Sequence, residues 1–569
     1  MTAISRLDFW VASLLAVFAG LIFYPFAFIG VDPHHDGIML KPALDVLSGQ
    51  VLFRDTFSQY GPLTTYLQAA VLELYPALLG LRLLTAAAYA GSLFFLYLAW
   101  RNVLPRSLGL VGCLLFMIYV PFFAPDWLML PWSSALALFF QSIAIWALLC
   151  IVGGRTHPVW AWTLGIACAC TLWCRQPVGI IMTGSAGVIA IALYVTGWRS
   201  SAGPAWRIVA RVAIGFGVIS ALILGHLAFN DALGAWLDQS ILWPMRWAKS
   251  MESDMYDIHG AVYLPWGYAI ALLGVVLTGL APSVVRRLGC VLPRWVDLVW
   301  LGVLVGAYFG FAHPWIRRIL LVPTGGWTPL ILALISVQAL VVLVPIARGR
   351  FHNSGEGYHL IAALTALVIG SCVQVYPVPC AGHIFWAISP CLGVFIYLFW
   401  KWSRLDAWSC SLTLVLLLIP AGFEKYQLAR LKLLQPSVTL QSPALLKGMQ
   451  VDPQQALALQ RVDAVMQKLL AANPDQSVLL YGDNALYLTW FKNGENPSPY
   501  YIRWVDMLNR SERLKRAAFI ERKQPVLLFQ NNIKEVELGK FMNIMNYRII
   551  FKEPSLQLWI ALPDSVYFP

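Results

Sequence analysis

Residues 32–62 read DPHHDGIMLKPALDVLSGQVLFRDTFSQYGP, a polar stretch set directly behind the first long apolar segment of the chain. It gathers Asp32, His34, His35, Asp36, Lys41, Asp45, Arg54 and Asp55 in a protein otherwise built largely of hydrocarbon. Charged groups beside a membrane are costly unless they face water, protein or a ligand. The stretch therefore reads as the chemical centre, and its placement fixes how the remaining segments lie across a bilayer.

Of 569 residues, 59% are hydrophobic and only 12% charged, with a mean hydropathy of +0.68. A soluble globular protein of this size does not carry such a surface, so the class is a polytopic α-helical membrane protein. The formal net charge of +12 sits in short basic clusters between apolar runs. That pattern marks cytoplasmic loops and argues against nucleic acid as a partner. None of the ten cysteines follows Cys410, so a C-terminal domain must hold together without disulfides. Cys170 and Cys174 lie one helical turn apart with no neighbouring His or carboxylate, which reads as packing rather than metal binding.

The first apolar segment, from about Phe9 to Val31, is long enough to cross roughly 30 Å of hydrocarbon. It lacks a small-residue cleavage site and is expected to be a retained helix. Arg6 places its start in the cytoplasm by the positive-inside bias. The stretch from Asp32 then emerges on the far side. Asp32-Pro33 reads as an N-cap with proline at the first helical position, and Gly49 as a helix stop. Leu40, Leu44 and Leu47 share one face of a short helix lying along the membrane surface. Capping explains Asp32 structurally, as an alternative to a chemical role. Asp36 has no such explanation.

Residues 61–81 are apolar enough to span, but parity places them at the outer surface or as a re-entrant helix. If they do not cross, the chain makes about thirteen crossings by the length criterion. Arg101/Arg106, Arg155, Arg199/Arg207, Arg286/Arg287/Arg294, Arg348/Arg350 and Lys401/Arg404 then all fall on the side of Arg6. The odd count sends the C-terminus outward. Outward loops hold Asp126, Arg175-Gln176, the segment from Asn230 to His259, His313 with Arg317-Arg318, and the run Gln374 to His383. They converge on one face of the membrane.

Residues 1–421 thus form a transmembrane domain. Residues 422–569 form a soluble outward domain in which the short apolar runs SVLLYG, PVLLF, YRIIF and LQLWIAL alternate with helices over Pro453 to Leu470 and Ser511 to Glu521, an α/β pattern of ordinary domain size. Gly482-Asp483-Asn484, behind a strand, reads as a loop.

A first helix, an Asp-bearing outward loop, a Pro-Leu motif opening an apolar helix, many crossings and an outward soluble domain resemble the GT-C superfamily of integral membrane glycosyltransferases. The layout is similar to that of lipid A aminoarabinose transferases and protein O-mannosyltransferases. His35-Asp36-Gly37 matches the position where many members carry Asp-Glu, and Tyr60-Gly61-Pro62-Leu63 the position where many carry Pro-Pro-Leu. Arg82 and the Tyr376-Pro377 to His383 run match weaker features. Gly37 stands where the family usually has Glu.

The resemblance implies inverting transfer of a sugar from a polyprenyl-phosphate donor to a hydroxyl on a glycan, lipid or protein acceptor. It implies a periplasmic reaction in a bacterial inner membrane. Asp36 is the expected proton acceptor, and Asp126, by the family's second acidic position, orients the acceptor or that base. Phosphate is expected to meet arginine forks or a lysine, from among Arg54, Arg175, Arg317, Arg318 and Lys41. Asp32, His35, Tyr60 and His383 complete the expected substrate contacts. His34-His35-Asp36 also admits a divalent cation, although adjacent histidines on a helix point about 100° apart and one ion would take one of them. Tryptophans and tyrosines at segment ends read as an interfacial belt. Two other classes fit less well. A transporter or flippase would show inverted repeats and midplane charges, and a non-catalytic assembly protein would bind through its C-terminal domain.

Overall fold

The computed structural model describes residues 4–124, 127–155, 157–195, 205–244, 363, 364, 367, 370, 371, 374, 381–403, 405–474, 477–482, 484–490, 510–530, 546–556 and 558–566. Asp126, Arg317 and Arg318, and most of the apolar segments expected between 263 and 375, lie outside the described residues.

Helix α1, Arg6–Phe23, starts at a capping box in which the Ser5 hydroxyl accepts from the Asp8 amide and the Asp8 carboxylate accepts from the Ser5 amide. A 3-10 turn over Tyr24–Phe28 prolongs it, and together they form a span of Arg6–Phe28 apolar enough to cross a membrane. Next come α2, His35–Leu47, α3, Pro62–Leu74, and α4, Leu78–Trp100. The expected stop at Gly49 is present, with φ at +90°, a region that suits a residue without a Cβ.

The pairing of α1 with α4 decides what residues 61–81 do. Asp8 opens α1, and its buried carboxylate accepts from Arg101 Nε at 2.9 Å, just past the end of α4, and from Arg106 Nε at 2.9 Å. The start of α1 and the end of α4 therefore share one end of the bundle, so one crossing separates α1 from the return through α4. Helix α3, at 13 residues, is about 20 Å long and too short to span. It lies across the other end.

Helix α5, Arg106–Ile118, is also too short to span alone, and with the 3-10 turn Pro121–Phe123 behind it carries the chain back to that other end. There Phe122 packs edge-on against Phe23 at 5.3 Å and Phe123 lies 5.0 Å from Phe26. Helix α6, Ser133–Val152, descends. Helix α7, Val159–Cys174, climbs again, ending where the Cys174 carbonyl accepts from the Gly61 amide at 3.2 Å. Helices α8, Gln176–Val195, and α9, Ala205–Phe229, follow. Along α9 most side chains face outward, with Leu222 67% and Phe229 89% exposed, as on a surface meant for lipid. A short α10, Leu233–Leu237, ends this half.

Beyond the undescribed region stand α11, Ala381–Ile388, α12, Leu392–Ser403, and α13, Ala407–Leu434. Asp406 caps α13 by accepting from the amides of Trp408 and Ser409, both at 3.0 Å. Helix α13 runs unbroken across residue 421, where composition placed the domain boundary, and stops at Leu434. Among the described residues four helices are long and apolar enough to cross a membrane: Arg6–Phe28, Leu78–Trp100, Ser133–Val152 and Trp206–Phe229.

The C-terminal region is an α/β unit. A two-stranded ribbon pairs β1, Val438–Thr439, with β2, Gln450–Val451. Helix α14, Pro453–Ala472, follows, capped by Asp452. Strands β3, Val478–Tyr481, β4, Val526–Gln530, β5, Tyr547–Glu553, and β6, Leu558–Pro563, form a sheet in the order β3-β4-β6-β5. Only β3 and β4 run parallel, and α15, Arg510–Lys523, precedes β4. The four apolar runs read from sequence each contribute one strand.

This unit rests on residues 29–37. The Gly30 amide donates to the Gln450 carbonyl at 2.6 Å, Gln455 Nε2 to the Val31 carbonyl at 2.9 Å, and the Leu486 amide to the Pro33 carbonyl at 3.1 Å. Gly37 packs directly on the 3-10 turn Ala485–Trp490: a Cβ there would stand 2.1 Å from the Leu486 nitrogen. The residue that departs from the family pattern is thus a glycine because backbone fills the space of its side chain.

Candidate active site

Five segments meet at the end of the bundle remote from Asp8: α2, the start of α3, the loop leading into α6, the junction of α7 with α8, and α11. The loop into α6 is held from two sides. Gln68 Nε2 on α3 donates to the Pro131 carbonyl at 2.7 Å. The Lys432 ammonium on α13 donates to the carbonyls of Phe122 and Ala124, each at 3.0 Å, and to that of Trp127. This fixes Trp132, the residue before α6.

Trp132 is the hub. Its ring centroid lies 5.3 Å from that of His35, 6.0 Å from Tyr60, 5.9 Å from His383 and 5.8 Å from Trp386. The Arg175 guanidinium sits 5.9 Å from the centroid of Tyr60, within cation–π range. Trp386 is itself anchored, donating through Nε1 to the Tyr89 hydroxyl at 2.8 Å. Five residues expected from sequence, Asp32, His35, Tyr60, Arg175 and His383, are therefore brought into one group, and α2, α3, α6, α7 and α11 position them.

Asp32 does two things at once. One carboxylate oxygen accepts from the amides of His34 and His35, both at 2.9 Å, which caps α2. The other meets His35 Nδ1 at 2.7 Å. Burial alone would push the carboxyl up, yet the His35 hydrogen bond and charge hold it at about 2. A carboxylate depressed on folding adds stability that is complete above its unfolded value of 3.8 and is lost as pH falls through about 2. Asp32→Asn, which keeps a capping oxygen, is expected to flatten the acid side of a melting-temperature profile between those values, and Asp32→Ala to cost a further amount of about 0.5–2 kcal/mol at neutral pH through the lost cap. Thermal unfolding of the detergent-purified protein against pH measures both.

Asp36 lies one turn beyond Asp32 and is closed to solvent. Arg82 on α4, also fully buried, donates to Asp36 Oδ2 at 2.5 Å and to the Ile29 carbonyl at 2.7 Å. The Asp32 amide donates to the same Oδ2 at 2.9 Å. Among the described residues Asp36 Oδ1 has no donor and Arg82 Nε no acceptor. Burial pushes the Asp36 carboxyl up, and Arg82 and the amide offset this only in part. The sequence reading put Asp36 at an open boundary. In the structure Ala485–Trp490 closes over the turn that carries it.

The remaining expected residues sit otherwise. Lys41 pairs with buried Asp45, whose second oxygen accepts from Thr56 Oγ1 at 2.6 Å. Arg54 spends its fork on Asp55, at 2.9 Å through both Nε and Nη2, and reaches the Asn230 carbonyl at 3.2 Å. Neither shares the group around Trp132 through a described contact. Among the described residues no three His, Cys, Asp or Glu side chains converge as metal ligands. Trp132 and Trp386 were folded into the interfacial belt by sequence reasoning. Arg82 was noted only as a weak family match, and no sequence signal tied it to Asp36, 46 positions away.

No protein-family model matches the chain, and no curated protein matches it. Among solved structures it is similar to the Archaeoglobus fulgidus oligosaccharyltransferase in complex with zinc and sulfate, at 14% identity over 94% of this chain and 69% of that one, with a TM-score of 0.49. It is similar to the same oligosaccharyltransferase tethered to an acceptor peptide, at 13% identity over 91% and 69%, with a TM-score of 0.48. It is likewise similar to ArnT from Cupriavidus metallidurans bound to undecaprenyl phosphate, at 13% identity over 98% and 99% of the two chains, with a TM-score of 0.42.

Proposed function

We propose that this protein is a membrane glycosyltransferase that moves a sugar from a polyprenyl-phosphate donor to an acceptor hydroxyl at the end of the bundle marked by Trp132. The observation that carries this reading is the convergence of Asp32, His35, Tyr60, Arg175 and His383 around Trp132, directly over the buried Asp36–Arg82 pair. Aromatic faces suit the C–H face of a sugar ring. A guanidinium at their edge suits the phosphate that leaves.

In this reaction the acceptor oxygen bonds to the anomeric carbon while the bond from that carbon to the phosphate oxygen breaks. The electron pair leaves with the polyprenyl phosphate, whose charge Arg175 offsets, and the hydroxyl proton passes to a carboxylate. Asp36 is the proposed acceptor of that proton. One of its oxygens is held by Arg82 and the Asp32 amide, the other has a free lone pair, and its raised affinity for a proton suits a base. Reaching it requires Ala485–Trp490 to lift from Gly37. The exposure of the Asp32–His35 pair, with side chains 32% and 38% accessible, supports a second reading in which His35 takes the proton and Asp32 orients its ring.

Trp132→Ala and Arg175→Gln are expected to lower release of undecaprenyl phosphate from an undecaprenyl-phosphate-linked hexose by roughly tenfold or more each, as loss of positioning and charge stabilisation does, with an unchanged elution profile. Full activity in both variants would overturn the proposed site. His35→Gln separates the two base assignments: Asp36 as base predicts that most of the turnover is retained, and His35 as base predicts a loss of about 10²–10⁴-fold.

A further inference from the structure

A cavity of about 320 Å³ opens between α6, α7, α8 and α9, lined by Ile151, Leu164, Cys168, Gly187, Val212 and Phe216 among others, and almost wholly apolar. It lies at the Asp8 end of the bundle. Ile151 is 18 residues beyond Ser133 on α6, which puts it about 27 Å along the helix axis from the Trp132 end. Trp146 on the same helix meets Phe9 on α1 at 6.2 Å. The cavity is therefore separate from the candidate active site.

The outer wall is α9, the most exposed of the four spans among the described residues, which sets the cavity beside a surface suited to lipid. The cavity's one polar oxygen among the lining side chains is the Thr183 hydroxyl, short of the roughly two to four partners an ordered water needs. Three arginines lie close in sequence to its walls. Arg207 and Arg211 stand one turn apart on α9, next to the lining residues Ile208 and Val212, and the Arg207 guanidinium lies 5.5 Å from the ring of Trp206. Arg155 follows the end of α6, its guanidinium 5.5 Å from the ring of Trp160. Among the described residues none of the three has a carboxylate partner.

A hydrocarbon slot beside the bilayer, with uncompensated guanidinium groups at the depth of the headgroups, has the chemistry of an anionic phospholipid. We infer that this cavity binds one acyl chain of an anionic phospholipid from the leaflet at the Asp8 end, with its phosphate on Arg207, Arg211 and Arg155. Gly187 borders the slot, and a Cβ added there meets nothing within 4 Å, so a larger side chain has room at this wall.

Native mass spectrometry of the full chain, exchanged into an equimolar mixture of phosphatidylglycerol and phosphatidylethanolamine, tests this. The wild type is expected to retain one phosphatidylglycerol, favoured by roughly tenfold or more given two or three arginines at the surface. Gly187→Phe should fill the slot and abolish retention. Arg207→Gln with Arg211→Gln, at the lipid-facing edge where folding is not at stake, should keep a lipid bound but equalise the two headgroups. Equal retention of both lipids by the wild type would overturn the inference. So would unchanged retention in either variant, or displacement of phosphatidylglycerol by stoichiometric undecaprenyl phosphate, which would make the cavity a seat for the donor's tail.

Discussion

Asp36→Asn is expected to be the most damaging single substitution in the chain, and to fail in two separable ways. Arg82 is fully buried, and among the described residues its one carboxylate partner is Asp36 at 2.5 Å. Removing that carboxylate strands a guanidinium in a closed site, a change that costs about 3–5 kcal/mol. The same substitution removes the proposed base, worth about 10²–10⁴-fold in rate. The double variant Asp36→Leu with Arg82→Met separates the two. A buried pair replaced together by apolar groups of similar volume is close to neutral, so the double variant should regain most of the lost thermal stability. Its transfer activity should stay down by the full factor. Recovery of both would show that Asp36 only pins α2 to α4, and would move the proton to the exposed Asp32–His35 pair.

The second large effect is expected at Gly37. A Cβ at this position would stand 2.1 Å from the Leu486 nitrogen and 2.7 Å from the Ala485 carbonyl carbon. Both are backbone atoms that cannot swing aside, so even Gly37→Ala must push the C-terminal unit off α2. Overpacking of this kind costs about 1–3 kcal/mol or more. The hydrogen bond from the Leu486 amide to the Pro33 carbonyl, at 3.1 Å, is the first to break. Hydrogen exchange at Leu486 should quicken by roughly tenfold or more in Gly37→Ala, and Gly37→Glu, with a longer side chain to place against the same backbone, should do more harm. Unchanged protection at Leu486 would mean that the contact yields without cost.

Much of the layout was legible because it rests on simple physics. Hydropathy marks the spans. The basic clusters at Arg101 and Arg106 mark the end that Asp8 also occupies, and an alternation of short apolar runs marks the four strands of the C-terminal sheet. Asp32 was readable as a cap because capping is local. The boundary at 421 was less readable: composition turns polar there, but α13 continues to Leu434 so that Lys432 can hold the loop before Trp132.

The site was legible only in part, and the reason is range in sequence. Asp32, His35, Tyr60, Arg175 and His383 each announce themselves as polar or aromatic groups near a segment end. What joins them, Trp132 and its contact with Trp386, spans some 250 positions of chain and looks from sequence like any interfacial tryptophan. The closure of Asp36 is another such case. Nothing in HHDG says that Ala485–Trp490 will lie on it, and the glycine that permits the contact looked like a missing carboxylate. Lys41 and Arg54 were natural phosphate ligands by residue type, but each meets a carboxylate in its own stretch, Asp45 and Asp55, before it meets anything farther away.

The most direct measurement is made on the purified protein reconstituted in sealed vesicles, supplied with undecaprenyl-phosphate-linked hexose and an envelope extract as the source of acceptors. Sugar transfer predicts stoichiometric release of undecaprenyl phosphate and a new covalently glycosylated product, with both falling together in Trp132→Ala and Arg175→Gln. Intact donor after prolonged incubation, or accumulation of the sugar inside sealed vesicles with no covalent product, would contradict it.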